Sequence, residues 1–568
     1  MGRRWKLRPC PANAEEGLAD LQLSSLVTRL LSVRGIHSPD AAAAFFDARL
    51  STHLRSPLLF RQMPLAAERV RLALERGERI GIYGDYDVDG ISGSAVLRRF
   101  LRDLGHDPAL HIPNRFRDGY GVNETGVRRL AEAGTRLMIT VDCGGVSHRE
   151  ITLARDLGID TIVCDHHQVS GTPLPAHAVL NPIEPDAGFP FQGLCGAGVA
   201  FYLAMGVRMR LREAGVADLP DLRRYLGLVT LGTIADIVPL IEENRVLVKH
   251  GLQELARSTS PGMQALKAVS GVSSVSTGVV GFRLAPRLNA GGRLADATRG
   301  VDLLTTEDAE VAGRLAAELN DENQARQAIE REILDDALAR LERDPGLAER
   351  RSIVLASRDW HPGVIGIVAQ RLVERHYRPT VLVAIDPATG IGRGSGRSIS
   401  GFNLYEGFKA CSGHLQTFGG HRAAAGLSVE ESRVPDLATS FEEYVRAHTG
   451  PEDFVPVALV DAEITFDDID DALLADLDRL EPHGFGNPQP VFLARKITVL
   501  SKRIVGENHL KLFMRQGNRA FSGIAFGMSE AAPEVGSALD ILFCVERNEW
   551  QGSSTIQLRI SDLRPHSH

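Results

Sequence analysis

At 568 residues the chain is too long for one hydrophobic core, and at roughly 150 residues per domain it should hold about three or four domains. Its 43% apolar and 24% charged content is that of ordinary globular chains and excludes disordered and fibrous architectures. The net charge of −8 sets up no global positive field, so any contact with a polyanion must be local.

Basic residues near the N-terminus have no apolar run behind them, and no uncharged stretch is long enough to span a bilayer, so a cytoplasmic chain with no membrane partner is expected. Six cysteines without a Cys-x-x-Cys pair argue against a zinc site or a disulfide framework. Cys143 and Cys164, although beside candidate ligands, read as small core residues.

Residues 1 to about 60 read as a partly helical preamble, packed on the first domain. Three apolar runs follow, and each ends in acid or histidine: RIGIYG before Asp85-Tyr-Asp87-Val-Asp89-Gly90, LMITV before Asp142, and TIVC before Asp165-His166-His167. Continuous Val/Ile/Leu runs of this length read as buried parallel strands. Helical periodicity lies between them and stops at Gly105, Gly134 and Gly158, where helix C-terminal caps belong. In such an open α/β sheet the ligand site forms beyond the carboxyl ends of the strands, where these acids and imidazoles fall. YLGLVTLGTIADIVPL reads as a helix followed by a turn at Asp236.

From Thr305 to Asp344 there is no proline and one glycine, Gly313, which predicts a long connecting helix ended by Pro345-Gly346. RSIVLAS and PTVLVAI, with GVIGIVAQRLVERH between them, make a second α/β module reaching about residue 448. Beyond Pro451, short alternating strands with turn signals such as Arg515-Gln-Gly-Asn518 suggest a small barrel or sandwich, an OB-like barrel matching in size.

The chemistry concentrates at the strand ends. In an extended chain Asp85, Asp87 and Asp89 would project the same way, with Gly90 turning the chain into the next helix; their mutual repulsion calls for a cation. An EF-hand loop is disfavoured by the strand before the triplet and by the missing glutamate at position twelve. Asp142 beside two glycines, the adjacent imidazoles of Asp165-His166-His167, and Asp236 complete a donor set of carboxylates and neutral imidazole. Mn²⁺ accepts that mixture readily, Mg²⁺ less often, and the donors are numerous enough for two ions.

These four elements, in this order, resemble the four motifs of the DHH phosphoesterase superfamily. Later stretches are similar to one branch of it, the RecJ family of bacterial exonucleases specific for single-stranded DNA: APRLNAGGR to Arg293, WHPGVIG from Trp360, GSGRS from Gly394, Gly420-His421 with Ala424-Ala-Gly426, and PHGFGNP from Pro482. The resemblance implies an α/β architecture: a 61–300 DHH catalytic domain with a 1–60 extension packed on it, a 301–346 connecting helix, a 347–448 DHHA1 domain and a 449–568 OB-fold domain. It also implies Asp87, Asp89, Asp142, His166 and Asp236 as ligands of Mn²⁺ or Mg²⁺, His167 on the substrate phosphate, Asp85 at the metal edge and Asp165 orienting an imidazole. In the Gly394–Ser398 stretch, read as a Gly-rich loop, Ser395 and Arg397 would hold a 5′-phosphate, with Arg115, Arg287, Arg293 and His421 as further substrate contacts. The implied activity is two-metal-ion hydrolysis of single-stranded DNA from the 5′ end to 5′-mononucleotides, in recombination and repair, with single-strand-binding protein and a helicase as partners. The alternatives are a DHH phosphodiesterase acting on short oligonucleotides or cyclic dinucleotides, and a noncatalytic replication scaffold; a complete ligand set argues against the scaffold.

Overall fold

The apolar runs that end in acid become adjacent strands of one parallel sheet. The computed structural model describes all residues except 1, 12–15, 116, 120, 295, 551–552 and 567–568. Two units divide the chain: a larger one holding most of residues 5–316 together with 459–568, and a smaller one holding 289–296 and 317–458. In the larger unit β1 (Arg79–Gly84), α1 (Val88–Asp103), β2 (Ala109–His111), α2 (Glu124–Glu132), β3 (Thr135–Val141), α3 (His148–Asp156), β4 (Asp160–Cys164) and β5 (Ala178–Leu180) alternate. The strands lie in the order β2-β1-β3-β4-β5, every neighbour parallel. Gly105, Gly134 and Gly158 follow α1, α2 and α3 with φ of +84°, +81° and +76°, so each expected cap is a left-handed helix stop that a side chain would strain.

Two further helices, α4 (Gly196–Glu213) and α5 (Leu226–Ala235), press their ends against the carboxyl edge of this sheet. Small residues permit it: a Cβ on Gly93 of α1 would lie 2.6 Å from Val141 and 3.0 Å from the Ala197 backbone, and one on Gly232 would lie 2.5 Å from the Asp89 carboxylate. The 35-residue helix α6 (Ala309–Arg343) then carries the chain from the larger unit into the smaller.

In the smaller unit β6 (Ile353–Ser357), α7 (Ile365–His376), β7 (Thr380–Ile385), β8 (Ile391–Arg397), β9 (Thr417–Gly420) and β10 (Ala424–Glu430) build a mixed sheet in the order β9-β10-β8-β7-β6. Here the expected Gly394–Ser398 loop is corrected: these residues mostly belong to β8, paired on both sides with antiparallel strands. Its glycines make room for packing, since Cβ atoms on Gly392, Gly394 and Gly396 would come within 2.8 Å of Val383, Leu427 and Leu404.

Back in the larger unit, β11 (Phe492–Val505), β12 (His509–Gln516), β13 (Arg519–Ala525), β14 (Ala538–Trp550) and β15 (Ser553–Pro565) pair in the order β11-β12-β13-β15-β14, and β14 returns to β11. The result is a closed five-stranded, OB-like barrel, with no open edge among those five strands. Leu18, Val27, Leu30, Leu31 and Phe45 join the apolar cluster of Phe492, Leu510 and Leu558, so the start of the preamble packs on the barrel. Farther along it meets the catalytic domain as well: Arg245 Nε donates to Phe45 O (2.8 Å), Lys249 Nζ to Phe46 O (2.6 Å), Arg55 pairs with Glu243, and Phe60 stacks on Phe189 at 4.3 Å. The extension thus packs on the barrel as well as on the first domain: a segment rich in Leu and Val covers whichever apolar surface is left open, and the flank of the barrel is one.

Candidate metal centre

Asp85, Asp142 and Asp165 are each the first residue beyond a strand, and their amides continue the parallel ladder by one step. Asp85 N donates to Val141 O (3.1 Å), Asp142 N to Cys164 O (2.9 Å) and Asp165 N to Leu180 O (3.1 Å). Three carboxylates are thereby set side by side along one edge, each about 1% exposed. Asp142 adopts φ +63°, a left-handed conformation that costs a non-glycine residue roughly 1–3 kcal/mol and is tolerated where function needs it.

The extended reading of the 85–89 triplet is corrected. Asp87 is the N-cap of α1, its Oδ1 accepting from Asp89 N (2.9 Å) and Gly90 N (3.2 Å), and Asp89 already lies in the first helical turn. A short acceptor side chain just before a helix satisfies amides that otherwise lack partners. Gly90 is not a turn residue but a close contact: a Cβ there would lie 2.5 Å from the Asp85 backbone. Asp89 is gripped by the N-terminus of α4, through Gly196 N (2.5 Å) and Ala197 N (2.9 Å). Asp236 closes the other side from the C-terminus of α5.

His166 stands at the centre of this set. Its Nε2 is 3.0 Å from Asp142 Oδ1, 3.5 Å from Asp236 Oδ2 and 3.7 Å from Asp89 Oδ2. Donor atoms form three overlapping clusters, each within 4.8 Å: Asp85-Asp87-Asp142, Asp142-His166-His167 and Asp89-His166-Asp236. Yet His166 Nε2, Asp142 Oδ1 and Asp85 Oδ1 are buried without a hydrogen-bond partner, even where two of them lie 3.0 Å apart. Atoms that close but misaligned for a hydrogen bond converge on a shared point instead of on one another, as ligands do. The donor chemistry, carboxylate oxygens with imidazole and no thiolate, fits Mn²⁺ or Mg²⁺.

Electrostatics agree. Burial and then the neighbouring carboxylates push Asp142 and Asp85 well above the ordinary range; burial followed by Asp89 and Asp87 takes Asp236 up to about 8. Such a cluster lacks positive charge. Burial likewise holds the His166 pKa below its usual value, which keeps the ring neutral and ligating. Asp165 differs: burial opposes its charge, but His167 and the surrounding amides outweigh it and bring it to about 2. Its Oδ1 accepts from His166 N (2.7 Å) and His167 N (3.1 Å) and contacts His167 Nδ1 (2.8 Å), while Oδ2 accepts from Gly145 N (2.7 Å). His167 rises to about 9 despite its burial, because of Asp165, so it is a cation at neutral pH.

Of the other expected contacts, Arg115 sits in the same unit, its guanidinium 5.3 Å from the Tyr86 ring and electrostatically coupled to Asp85. Arg287 turns its Nη1 onto Arg283 O (2.5 Å) and its Nη2 toward Val269 O (3.4 Å). In the smaller unit Arg397 donates to Ser395 Oγ (3.1 Å), and both border Gly366 at the start of α7, where a Cβ would lie 2.9 Å from Ser395 Oγ and 3.1 Å from Arg397 Nη2. Arg293 reaches the same turn through Gly363 O (3.1 Å). His421 occupies the β9–β10 hairpin, its amide on Ala424 O (2.8 Å), and Ala424 is the register partner of Arg397. Sequence reasoning missed Asn181, which follows β5, and the paired amides of Gly196 and Ala197. The clue to Asn181 was a fourth apolar run, AVL, ending in a polar residue.

A parallel sheet with acids and imidazoles on its carboxyl edge, a second α/β unit and a closed barrel defines the class of DHH-type phosphoesterase proteins. Residues 79–233 match the DHH family N-terminal domain, 350–447 the DHHA1 domain and 460–562 the RecJ OB domain. The chain is 37% identical to the single-stranded-DNA-specific exonuclease RecJ of Bacillus subtilis, over 98% of its own length and 70% of the relative's. Two crystal structures of RecJ from Thermus thermophilus cover the whole chain. The Mn²⁺ complex matches with TM-score 0.84 at 31% identity over 80% of that chain, the Mg²⁺ complex with TM-score 0.79 at 29% identity over 79%. The chain belongs to the RecJ family.

Proposed function

We propose that the protein is a cytoplasmic, metal-dependent exonuclease that degrades single-stranded DNA in the 5′-to-3′ direction to 5′-mononucleotides, in recombination and repair. The observation that carries this reading is the set of buried, unpartnered donor atoms at the strand ends, in a chain of this family. Asp85, Asp87 and Asp142 would hold one divalent ion, Asp89, His166 and Asp236 a second, with Asp142 shared. When bound, Mn²⁺ or Mg²⁺ supplies Lewis acidity that makes water a nucleophile at neutral pH and offsets phosphate charge. His167, kept cationic by Asp165, donates to a phosphate oxygen and stabilises the charge that builds there in the transition state. Asp165 orients that ring and has no proton to give. The domain limits follow the same reading: 61–300 catalytic with the 1–60 extension, 301–346 connecting, 347–448 DHHA1 and 449–568 the strand-binding barrel.

The outer face of the barrel supports a role in holding the strand. Along β12 the side chains of Leu510, Leu512 and Met514 are buried, while Lys511, Phe513 and Arg515 are exposed. Lys511 pairs directly across from Arg503 of β11, a like-charged pair that an anion would relieve. Phe513, 45% exposed, offers a stacking surface among these cations, the combination single strands bind. Combined Lys511→Ala and Arg515→Ala substitution is expected to weaken binding of long strands and to flatten the dependence of log K on log salt by about 1.4. A fluorescence anisotropy salt titration measures it, and an unchanged slope would remove this face from the binding path.

Ser395, Arg397 and Arg293, gathered at the start of α7, would receive the 5′-phosphate; Arg115, Arg287 and His421 are carried over from the family likeness as further substrate contacts. Loss of a charged, bidentate contact is worth on the order of 2 kcal/mol, so Arg397→Ala should raise KM for 5′-phosphorylated strands about 10- to 100-fold. An equal effect on 5′-hydroxyl strands would refute the pocket. Single-strand-binding protein and a helicase are inferred partners on the family likeness, tested by co-purification. For the whole reading, 5′-labelled and 3′-labelled single strands and duplex controls are digested with Mn²⁺ or with chelator. Release of mononucleotides from the 5′ end of single strands alone, and only with metal, is the expected result; release from the 3′ end, or in chelator, would overturn it.

A further inference from the structure

We infer that Asn181 is a positioning residue for His167, an inference that rests on the proposed hydrolytic role of that histidine. Four neighbouring strands, β1, β3, β4 and β5, are followed by Asp85, Asp142, Asp165 and Asn181; the last alone is an amide, and it too is only 1% exposed. Its Nδ2 donates to His167 O (2.9 Å) and its Oδ1 accepts from Ile183 N (3.1 Å). One side chain must therefore donate on one side and accept on the other, which an amide does and a carboxylate cannot.

His167 is thus fixed at two points. Asp165 holds its ring Nδ1 and its amide, and Asn181 holds its carbonyl. The turn that carries Asp142 closes over both supports: a Cβ on Gly145 would lie 2.8 Å from Asp165 Oδ2 and 3.7 Å from Asn181 Nδ2. A residue held at its N–H, its C=O and its ring Nδ1 has its backbone and ring direction set before substrate arrives, and such preorganisation affects the rate of the chemical step more than substrate affinity. Asn181 is itself a member of none of the three donor clusters and meets their residue His167 only at its backbone carbonyl, so its contribution runs through the placing of His167 and not through a donor atom of its own.

Asn181→Asp keeps the oxygen that serves Ile183 and removes the N–H that serves His167; Asn181→Ala removes both. At saturating Mn²⁺ each is expected to lower kcat about 10- to 100-fold, the scale of a lost supporting contact, with KM and Mn²⁺ affinity within about threefold of wild type. In a His167→Ala background the further effect of Asn181→Asp should fall below about twofold, because coupled residues are non-additive. Wild-type kcat in either variant would overturn the inference. So would a fall in kcat that follows loss of Mn²⁺ binding, or one that persists undiminished in the His167→Ala background. Should Asn181→Asp fail to fold, Asn181→Ala is judged by the same measurements, and failure of both to fold would assign the residue to the fold alone. If the wild type itself releases no nucleotides with Mn²⁺, it is the functional reading that falls.

Discussion

Asp142→Ala is expected to lower kcat on single-stranded DNA by at least about 10³-fold while leaving strand binding nearly intact, since removing one member of a site that acts as a unit costs about as much as removing the unit. Asp142 belongs to two of the three donor clusters, and its Oδ1 is one of the buried atoms without a partner. Among the described residues no other carboxylate belongs to two of these clusters. The variant should also be no less stable without metal than the wild type, because Asp89, Asp87, Asp85 and Asp236 all oppose its charge. Loss of the carboxylate relieves that repulsion, which offsets the poorer fit of alanine to the left-handed backbone at 142. Steady-state digestion, anisotropy binding and thermal melts in chelator check the three parts. Near-normal cleavage would remove Asp142 from the metal centre; a large drop in melting temperature would make it a structural residue.

What could be read from the sequence was whatever depends on short-range pattern. The strands Arg79–Gly84, Thr135–Val141 and Asp160–Cys164 follow from apolar runs, because a strand covered on both faces needs no polar alternation. The helix stops at Gly105, Gly134 and Gly158 follow from the steric cost of a left-handed cap. The acids at strand ends were legible for the same reason. Less visible were features decided by a partner distant in sequence. Asp87 as a helix cap and Gly90 as a contact with Asp85 depend on where α1 begins, and a D-x-D-x-D-G string reads equally well as extended. Gly392, Gly394 and Gly396 looked like loop residues because a glycine-rich run carries no packing signal of its own; Val383, Leu427 and Leu404 supply it from other elements. Asn181 was hidden by chemistry: attention to charge picks out aspartate and histidine, and a neutral amide that donates to a carbonyl leaves no charge pattern.

Metal-free protein is expected to lose thermal stability as pH rises from about 6.5 to 9, and Mn²⁺ to restore more of it at the upper end than at the lower. Asp236, raised to about 8, keeps in the folded chain a proton that an unfolded aspartate has lost above about 4. Its contribution is greatest below that lower value and disappears as pH climbs through 8. His167, raised to about 9, works in the same direction, its contribution being full below about 6.5 and lost through 9. Asp85, Asp89 and Asp142 are raised as well and share the sign of Asp236. Asp165, lowered to about 2, contributes above about 4 and loses that only in strong acid, outside this window; His166, lowered, opposes the trend only below about 6.5. A divalent ion must displace the retained protons, so it binds more weakly at pH 6.5, whereas at pH 9 it meets carboxylates already ionised and repelling one another. Melting curves in chelator and in millimolar Mn²⁺ at the two pH values should therefore diverge by several degrees on the alkaline side. A metal-free melting temperature indifferent to pH across this range, or an Mn²⁺ increment equal at both ends, would show that these acids do not share one desolvated, cation-seeking site.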